Sequence, residues 1–175
     1  NNIKVKFISG EKENFKITQY SDLKKQNFNT YYGIGFDIHR LEKGTKLYLG
    51  GIKIPYHSGL KGHSDGDVII HALIDGLLGA SKLKDIGTLF SNKNAKYKNI
   101  RSPKMLKKIL NLIKVKNYLI NNIDINVIAE QPKVSKYRKK IIKSISNLCD
   151  IKMDQINLKG KTAEKIGLIG KQKAI

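Results

Sequence analysis

The sequence is poor in cysteine and has no long apolar segment. Its single cysteine, Cys149, excludes a disulfide framework and a cluster of thiolates around zinc. Because Cys149 ends an amphipathic segment, we expect it to be buried as a small apolar side chain. No apolar run approaches the roughly 20 residues that a membrane-spanning helix needs, so we expect no membrane partner.

Acidic residues are also scarce. The 175 residues include 34 Lys or Arg against 14 Asp or Glu, which gives a net charge of +20. The surplus lies outside residues 33–87, where seven basic residues face six acidic ones. We therefore expect no nucleic-acid partner, and we interpret the basic field as an attraction for an anionic small substrate. A non-catalytic basic module that binds RNA is the alternative.

Histidine is rare, and its distribution is the main chemical signal. All four histidines lie from His39 to His71. In "GIGFDIHR", residues 33–40, an extended backbone would point Asp37 and His39 to the same face. Two imidazoles and a carboxylate can hold Zn²⁺ and leave the fourth position to a substrate. Asp75, one helical turn after His71, could fix the second ring nitrogen of His71. The alternative is that these histidines are unrelated.

A second cluster lies in "GHSDGD", residues 62–67. It offers the His63 imidazole, the Ser64 hydroxyl and free backbone amides at the start of a predicted helix, a place that favours anions. Ordinary helix capping by Ser64 and Asp65 would give the same sequence. The cluster therefore predicts either a phosphate site or a simple cap.

A third cluster, "KGKTAEK" at residues 159–165, follows a predicted strand. Glu164 lies among lysines and close to Thr162, so it could hold Mg²⁺ against a diphosphate. A salt-bridged surface turn is the alternative.

Strand and helix patterns alternate along the chain. They predict a hairpin around Gly50-Gly51, helices that begin near Ser64 and Ser102, a helix over residues 133–149, and strands in "NIDINVIA" and "QINLKGK". The apolar positions expected on the buried faces are Val68, Ala72, Leu73, Leu77 and Leu78 in the first helix, Met105, Leu106, Ile109, Leu110 and Ile113 in the second, and Val134, Tyr137, Ile141, Ile145 and Leu148 in the third. The fold class predicted is α+β, with a mixed β-sheet packed against helices on one face.

The blocks "GFDIH", "GGIKIPYHSGLKGHSDGDVIIHALIDGLLGASKLKDIGTLF" and "NLKGKTAEKIG" resemble the 2-C-methyl-D-erythritol 2,4-cyclodiphosphate synthase family of the non-mevalonate isoprenoid pathway. The resemblance runs from about Tyr32 to the C-terminus. It implies an N-terminal extension, residues 1–30, and a single catalytic domain, residues 31–175, with a further strand expected beyond Ile175. It also implies a homotrimer whose sheets face the three-fold axis and whose active sites lie at subunit boundaries.

The activity that the resemblance implies is that of a phosphorus–oxygen lyase. Such an enzyme converts 4-diphosphocytidyl-2-C-methyl-D-erythritol 2-phosphate into 2-C-methyl-D-erythritol 2,4-cyclodiphosphate and releases CMP. The implied cofactors are Zn²⁺ and a second divalent ion, Mg²⁺ or Mn²⁺. The AT-rich composition and the extension favour a plastid-type organelle, with a bacterial cytoplasm as the alternative.

The resemblance also assigns roles to individual positions. It places zinc on Asp37, His39 and His71, with Asp75 as a supporting carboxylate, and the second ion on Glu164. It implies catalytic contacts from His63 and Thr162. The implied substrate-binding positions are Ser64, Asp85, Ile86, Gly87, Ala129, Pro132, Lys133, Lys161 and Ala163.

Three parts of the chain depart from the family's pattern. The segment from Phe90 to Asn94 lacks two acids and a proline, Lys161 replaces a threonine common in bacterial members, and Leu168 and Lys171 replace an aromatic residue and an arginine.

A dinuclear metallophosphoesterase also uses Asp-x-His on a strand and is the rival enzyme. It needs further histidine ligands, and no histidine follows His71.

Overall fold

Residues 29–91 and 100–175, together with Thr18 and Tyr97, are described by the computed structural model. The predicted extension over residues 1–30 lies almost wholly outside the described residues, as do residues 92–94 of the divergent segment. Tyr31–Ile175 form one compact unit.

Four short strands precede an alternation of helices and strands. The elements are β1 (Leu41–Lys43), β2 (Leu47–Leu49), β3 (Ile52–Ile54), β4 (Ser58–Leu60), α1 (Val68–Ala80), α2 (Ile86–Leu89), α3 (Ser102–Val115), β5 (Ile123–Ile128), α4 (Arg138–Cys149), β6 (Ile156–Lys161) and α5 (Gly167–Gly170). The predicted α+β class is confirmed. Among the described helices, none has the length and apolar character needed to cross a bilayer.

The strands form three separate pairs rather than the continuous mixed sheet that was predicted. Strands β1 and β4 pair antiparallel, β2 and β3 pair antiparallel, and β5 and β6 pair parallel. Both strand senses are therefore present, but β1 to β4 are three residues each and offer few backbone groups to a second neighbour. Residues 173–175 add to the first pair, because His39 and Ile175 exchange backbone hydrogen bonds of 3.0 and 3.1 Å.

The apolar faces predicted for the two later long helices lie in the core. In α3 the buried apolar residues are Met105, Leu106, Ile109 and Ile113. In α4 they include Ile141, Ile145 and Cys149, and a 3₁₀ turn at Val134–Tyr137 precedes the helix. The expected burial of Cys149 is confirmed.

The face predicted for α1 is partly wrong. Val68 and Leu78 are buried as expected, but Ile69, Ile70 and Ile74 are buried where Ala72, Leu73 and Leu77 were expected. Apolar residues surround most of this helix, so their periodicity does not single out one face.

Helix α1 begins at Val68, and its N-cap is Asp67 rather than Ser64 or Asp65. The Asp67 carboxylate accepts from the backbone N–H of Ile70 at 3.2 Å, and from those of Gly50 at 2.9 Å and Gly51 at 2.6 Å. Gly50 and Gly51 form the β2–β3 turn with φ of +61° and +84°, as the hairpin prediction required. One buried side chain therefore ties the hairpin to the start of the helix.

Candidate functional site

Two glycines bring the Asp-x-His segment against helix α1. A Cβ added at Gly33 would lie 1.8 Å from the backbone O of Gly76, and one at Gly35 would lie 1.8 Å from the backbone O of Ala72. Only glycine permits this approach, which places residues 37–39 beside His71 on the helix.

Three ligand atoms converge where the segment meets the helix. Asp37 Oδ2 lies 2.9 Å from His71 Nδ1 and 3.0 Å from His39 Nδ1. One ligand atom from each of the three residues lies within 4.8 Å of the others. His39 Nδ1 is buried, and its 3.0 Å contact with Asp37 Oδ2 does not have the direction of a hydrogen bond. A cation at this point would satisfy that atom.

The charge of Asp37 fits a cation site. Burial alone would raise the pKa of Asp37, but the close contacts with the His39 and His71 rings and the charge that these rings can carry outweigh burial and hold the pKa well below its usual range. An ionised carboxylate with two imidazole nitrogens is a common ligand set for divalent zinc. The residues present therefore fit a divalent transition metal.

The second nitrogen of His71 contacts two serines. Its Nε2 lies 2.9 Å from Ser102 Oγ and 3.0 Å from Ser64 Oγ. Ser102 in turn donates its hydroxyl to the carboxylate of Asp65. The hydroxyl of Ser102 is thus used in this network, although the sequence suggested a helix cap.

The expected hydrogen bond from His71 to Asp75 is not formed. Asp75 Oδ1 instead accepts the backbone N–H of Ile86 at 2.8 Å, because the carboxylate lies one turn along α1, beside the start of α2. Asp85 caps α2 by accepting from Thr88 N at 2.8 Å, and this bond is the main reason why the pKa of Asp85 is lowered.

A cavity of about 900 Å³ surrounds the three ligand residues. Five other predicted site residues line it: His63 and Ser64 in the loop before α1, Asp75 in α1, and Ile86 and Gly87 in α2. Asp85 itself is exposed and does not line the cavity. The sequence interpretation missed Arg40 and Lys61, which add cationic side chains, and the apolar wall of Phe90, Tyr97, Ile100 and Met105. Only the position of Arg40 next to the Asp-x-His motif could have indicated its place.

The remaining predicted residues gather at a different cavity. It measures about 70 Å³ and is lined by Ala129, Lys133, Val134, Ser135, Gly160, Lys161 and Thr162. Pro132 follows a cis peptide bond next to this group. Of the described residues, none lines both cavities.

Glu130 holds the turn beside this second cavity. Its Oε1 accepts the backbone N–H groups of Ala163 at 3.0 Å and Lys165 at 2.9 Å. The Thr162 hydroxyl donates to the Glu164 carboxylate, and Glu164 lies in the left-handed region with φ of +48°. Glu130 was not singled out from the sequence, because its partners follow more than thirty residues later.

The family match and two of the most similar curated proteins agree with one another. Residues 30–175 match the YgbB family. A "Bifunctional enzyme IspD/IspF" of Pelagibacter ubique is 54% identical over 172 residues, which cover 98% of this chain and 46% of that protein. A "2-C-methyl-D-erythritol 2,4-cyclodiphosphate synthase" of Clostridium acetobutylicum is 50% identical over 143 residues, which cover 82% of this chain and 92% of that protein.

A solved structure also matches. The structure described as "IspF (Plasmodium falciparum) CDP complex" superposes with a TM-score of 0.73 at 45% identity, and the match covers 83% of this chain and 90% of the other. The chain spans about half the length of the bifunctional relative that it matches. Both curated relatives are bacterial.

Proposed function

Because the chain belongs to the YgbB family, we propose that it is the enzyme that forms 2-C-methyl-D-erythritol 2,4-cyclodiphosphate and releases CMP. The observation that carries this proposal is the convergence of Asp37, His39 and His71 on one point in the wall of a cavity of about 900 Å³. The Clostridium acetobutylicum relative, which is named 2-C-methyl-D-erythritol 2,4-cyclodiphosphate synthase and is 50% identical over 143 residues, supports it.

The proposed reaction is an intramolecular phosphoryl transfer. An oxygen of the substrate's 2-phosphate forms a bond to the β-phosphorus, and the bond from that phosphorus to the oxygen of CMP breaks. The attacking phosphate has a second pKa of about 6 and is mostly deprotonated at neutral pH, so no side chain has to act as a base. The protein must instead bring two anionic groups together and orient them in line.

Side chains of the cavity supply this orientation. Arg40 and Lys61 reduce the repulsion between phosphates, and the hydrogen bonds of His63 and Ser64 hold the transferring group. The ligand set would hold Zn²⁺, which supplies Lewis-acid polarisation of a phosphoryl oxygen when bound. Ile86 and Gly87 would bind the methylerythritol portion together with Asp85 at the edge of the cavity.

The second cavity is the proposed nucleotide side of the site. Ala129, Pro132, Lys133, Lys161 and Ala163 would receive the cytidine and its phosphates, and the related structure is described as a CDP complex. Thr162 would contact the reacting diphosphate. Glu164 would bind the second ion, Mg²⁺ or Mn²⁺, because its carboxylate is exposed and contacts the hydroxyl of Thr162, which lines this cavity.

A homotrimer would unite the two cavities. No described residue is shared between them, so we propose that the nucleotide cavity of one subunit faces the metal centre of a neighbour. Exposed apolar residues support an interface: Ile34 is 94% exposed, Phe36 75% and Ile166 75%. The proposed arrangement directs the sheets toward the three-fold axis.

The range of the matches guides the domain proposal. The match to the bifunctional relative covers 98% of the chain, whereas the family match begins at residue 30. We propose that residues 31–175 form the catalytic domain and that residues 1–30 correspond to a part of the bifunctional relatives outside it. The bacterial relatives favour a bacterial cytoplasm over the plastid-type organelle.

The function is tested by removing one ligand. We expect His39→Ala to lose bound zinc and CMP release together while its unfolding transition is retained, because the remaining two ligands no longer close the site. Metal analysis and a CMP-release assay on purified protein measure both. His57→Ala is the matched control, since the His57 ring packs against Tyr56 outside the cavity. Full activity of a zinc-free His39→Ala variant would refute the proposal, and two adjacent metal ions per subunit would favour the metallophosphoesterase.

A further inference from the structure

A buried chain of hydrogen bonds runs away from the metal centre. Ser102 is 0% exposed and the Asp65 side chain is 5% exposed. The Asp65 carboxylate accepts from Arg101 Nε at 2.7 Å, from the backbone N–H of Ser102 at 3.2 Å, and from the Ser102 hydroxyl. A carboxylate paired with a guanidinium only accepts hydrogen bonds, so the single hydroxyl proton of Ser102 is committed to Asp65.

The hydrogen bond from Ser102 to Asp65 decides which nitrogen of the His71 ring carries a proton. Since its proton is used, Ser102 Oγ can only accept from His71 Nε2, 2.9 Å away. Ser64 Oγ also lies 3.0 Å from this nitrogen and accepts the backbone N–H of Gly66 at 3.2 Å. A neutral His71 ring therefore carries its proton on Nε2, which leaves the lone pair of Nδ1 facing Asp37 Oδ2 at 2.9 Å. Two acceptors at this distance are held together by a cation between them, which is either a metal ion or, in the metal-free protein, a second ring proton on Nδ1.

We propose that Asp65 and Ser102 are positioning residues that fix His71 in the tautomer whose Nδ1 is free to bind the metal. This inference rests on the proposed metal centre. Neither residue touches the ligand atoms of Asp37 or His39, so their effect passes through His71 alone. Groups that fix the ring nitrogen opposite the metal affect metal affinity in other proteins by about 10- to 100-fold.

The substitution Asp65→Asn reverses the direction of the hydrogen bonds that join residue 65 to Ser102 and His71, and it keeps the size of the side chain. Arg101 Nε–H points at Oδ2, whereas Ser102 N–H lies 3.2 Å from both oxygens. Arg101 therefore places the amide oxygen at Oδ2, and the amide NH₂ faces Ser102 Oγ. Ser102 then accepts from the amide and donates its own proton to His71 Nε2. The ring proton moves to Nδ1, where it opposes the metal.

The test measures the tautomer and the metal affinity separately. Nitrogen-15 NMR of the metal-free protein, at a pH where the ring is neutral, is expected to show the Nε2–H form in the wild type and the Nδ1–H form in Asp65→Asn. A Co²⁺ titration followed by visible absorption should show an affinity about 10- to 100-fold lower in Asp65→Asn. Ser102→Ala should lose less than about tenfold, because Ser64 still accepts from Nε2.

The double variant distinguishes positioning from a loss of packing. The amide that Asp65→Asn introduces acts on His71 only through the Ser102 hydroxyl. The double variant Asp65→Asn with Ser102→Ala should therefore bind Co²⁺ more tightly than Asp65→Asn alone. Ser146→Ala is the matched control, since this buried hydroxyl donates to Ile151 O at 2.6 Å, away from the site. It should leave Co²⁺ affinity unchanged.

Two results would overturn the inference: an Nδ1–H form in the metal-free wild type, or a double variant that binds Co²⁺ as weakly as Asp65→Asn. A wild-type chain that binds no Co²⁺ would instead refute the proposed metal centre. The tautomer of the metal-free protein would still decide whether Asp65 and Ser102 orient the ring.

Discussion

Asp65 and Asp67 are two residues apart and serve different ends. Burial raises the pKa of Asp67, and the amide N–H groups of Gly51, Gly50 and Ile70 act against that rise. A buried carboxylate is costly unless it is hydrogen-bonded, and these three donors compensate for the lost hydration. Asp67 therefore joins the hairpin to α1, whereas Asp65 reaches the metal centre through Ser102.

Cys149 gives a pH-dependent prediction at the scale of one residue. Burial raises the pKa of this thiol from 9.0 to about 11. The folded state therefore favours the protonated thiol, and the stability that this provides is present below pH 9 and is lost as the pH rises toward 11. The difference in unfolding free energy between the wild type and Cys149→Ala should shrink across that range. Urea titrations at several pH values measure it, and an unchanged difference would contradict the burial argument.

Glu164 gives a second prediction at this scale. We expect Glu164→Gln to lower turnover by about tenfold or more at limiting Mg²⁺ and to retain zinc, because the amide is a poorer Mg²⁺ ligand than the carboxylate. Kinetics over a Mg²⁺ series and metal analysis measure the two effects. Asp154→Asn, in the 3₁₀ turn before β6, is the control. Wild-type kinetics at every Mg²⁺ concentration would show that Glu164 binds no second ion.

At the scale of elements, the contact of residues 33–35 with α1 positions the proposed metal ligands. A Cβ at Gly35 would meet only backbone atoms of α1, at 1.8 and 2.6 Å, and backbone cannot rotate away. Gly35→Ala should therefore displace the segment, cost about 2 kcal/mol or more of stability, and weaken Co²⁺ binding at least tenfold.

Gly79 provides the matched comparison on the same helix. It is exposed, and a Cβ there would have no neighbour within 4 Å. Gly79→Ala should raise the free energy of unfolding by about 0.5–1 kcal/mol, because alanine favours the helix, and should leave Co²⁺ binding unchanged. Urea unfolding and metal titration of both variants make the comparison. Equal effects of the two substitutions would refute the role of the contact.

At the scale of the whole molecule, the separation of the two cavities makes assembly the main question. We expect the protein to sediment as a trimer, and Phe36→Glu to dissociate it and abolish CMP release, because a charge would be buried in the proposed interface. Leu119→Lys is the control, since Leu119 is 91% exposed and lies beyond α3. An active wild-type monomer would show that one chain holds a complete site.

The sequence by itself determined the features that depend on short spacings. The β2–β3 hairpin follows from Gly50-Gly51, the buried faces of α3 and α4 follow from helical periodicity, and Asp37, His39 and His71 stand out as the cluster that the structure brings together. The hairpin and the helix faces depend on residues that are neighbours in the chain. The ligand cluster stands out because histidine is rare in this sequence.

Only the tertiary structure decided which partners the site residues take. Ser102 reaches His71 across 31 positions, and Asp65 reaches Ser102 across 37. Local spacing instead suggested Asp75 as the partner of His71, because a residue one turn away on the same helix is the nearest candidate in sequence. Hydrogen-bond partners across packed elements depend on how close the backbones lie, and in this protein α1 and the start of α3 set that distance.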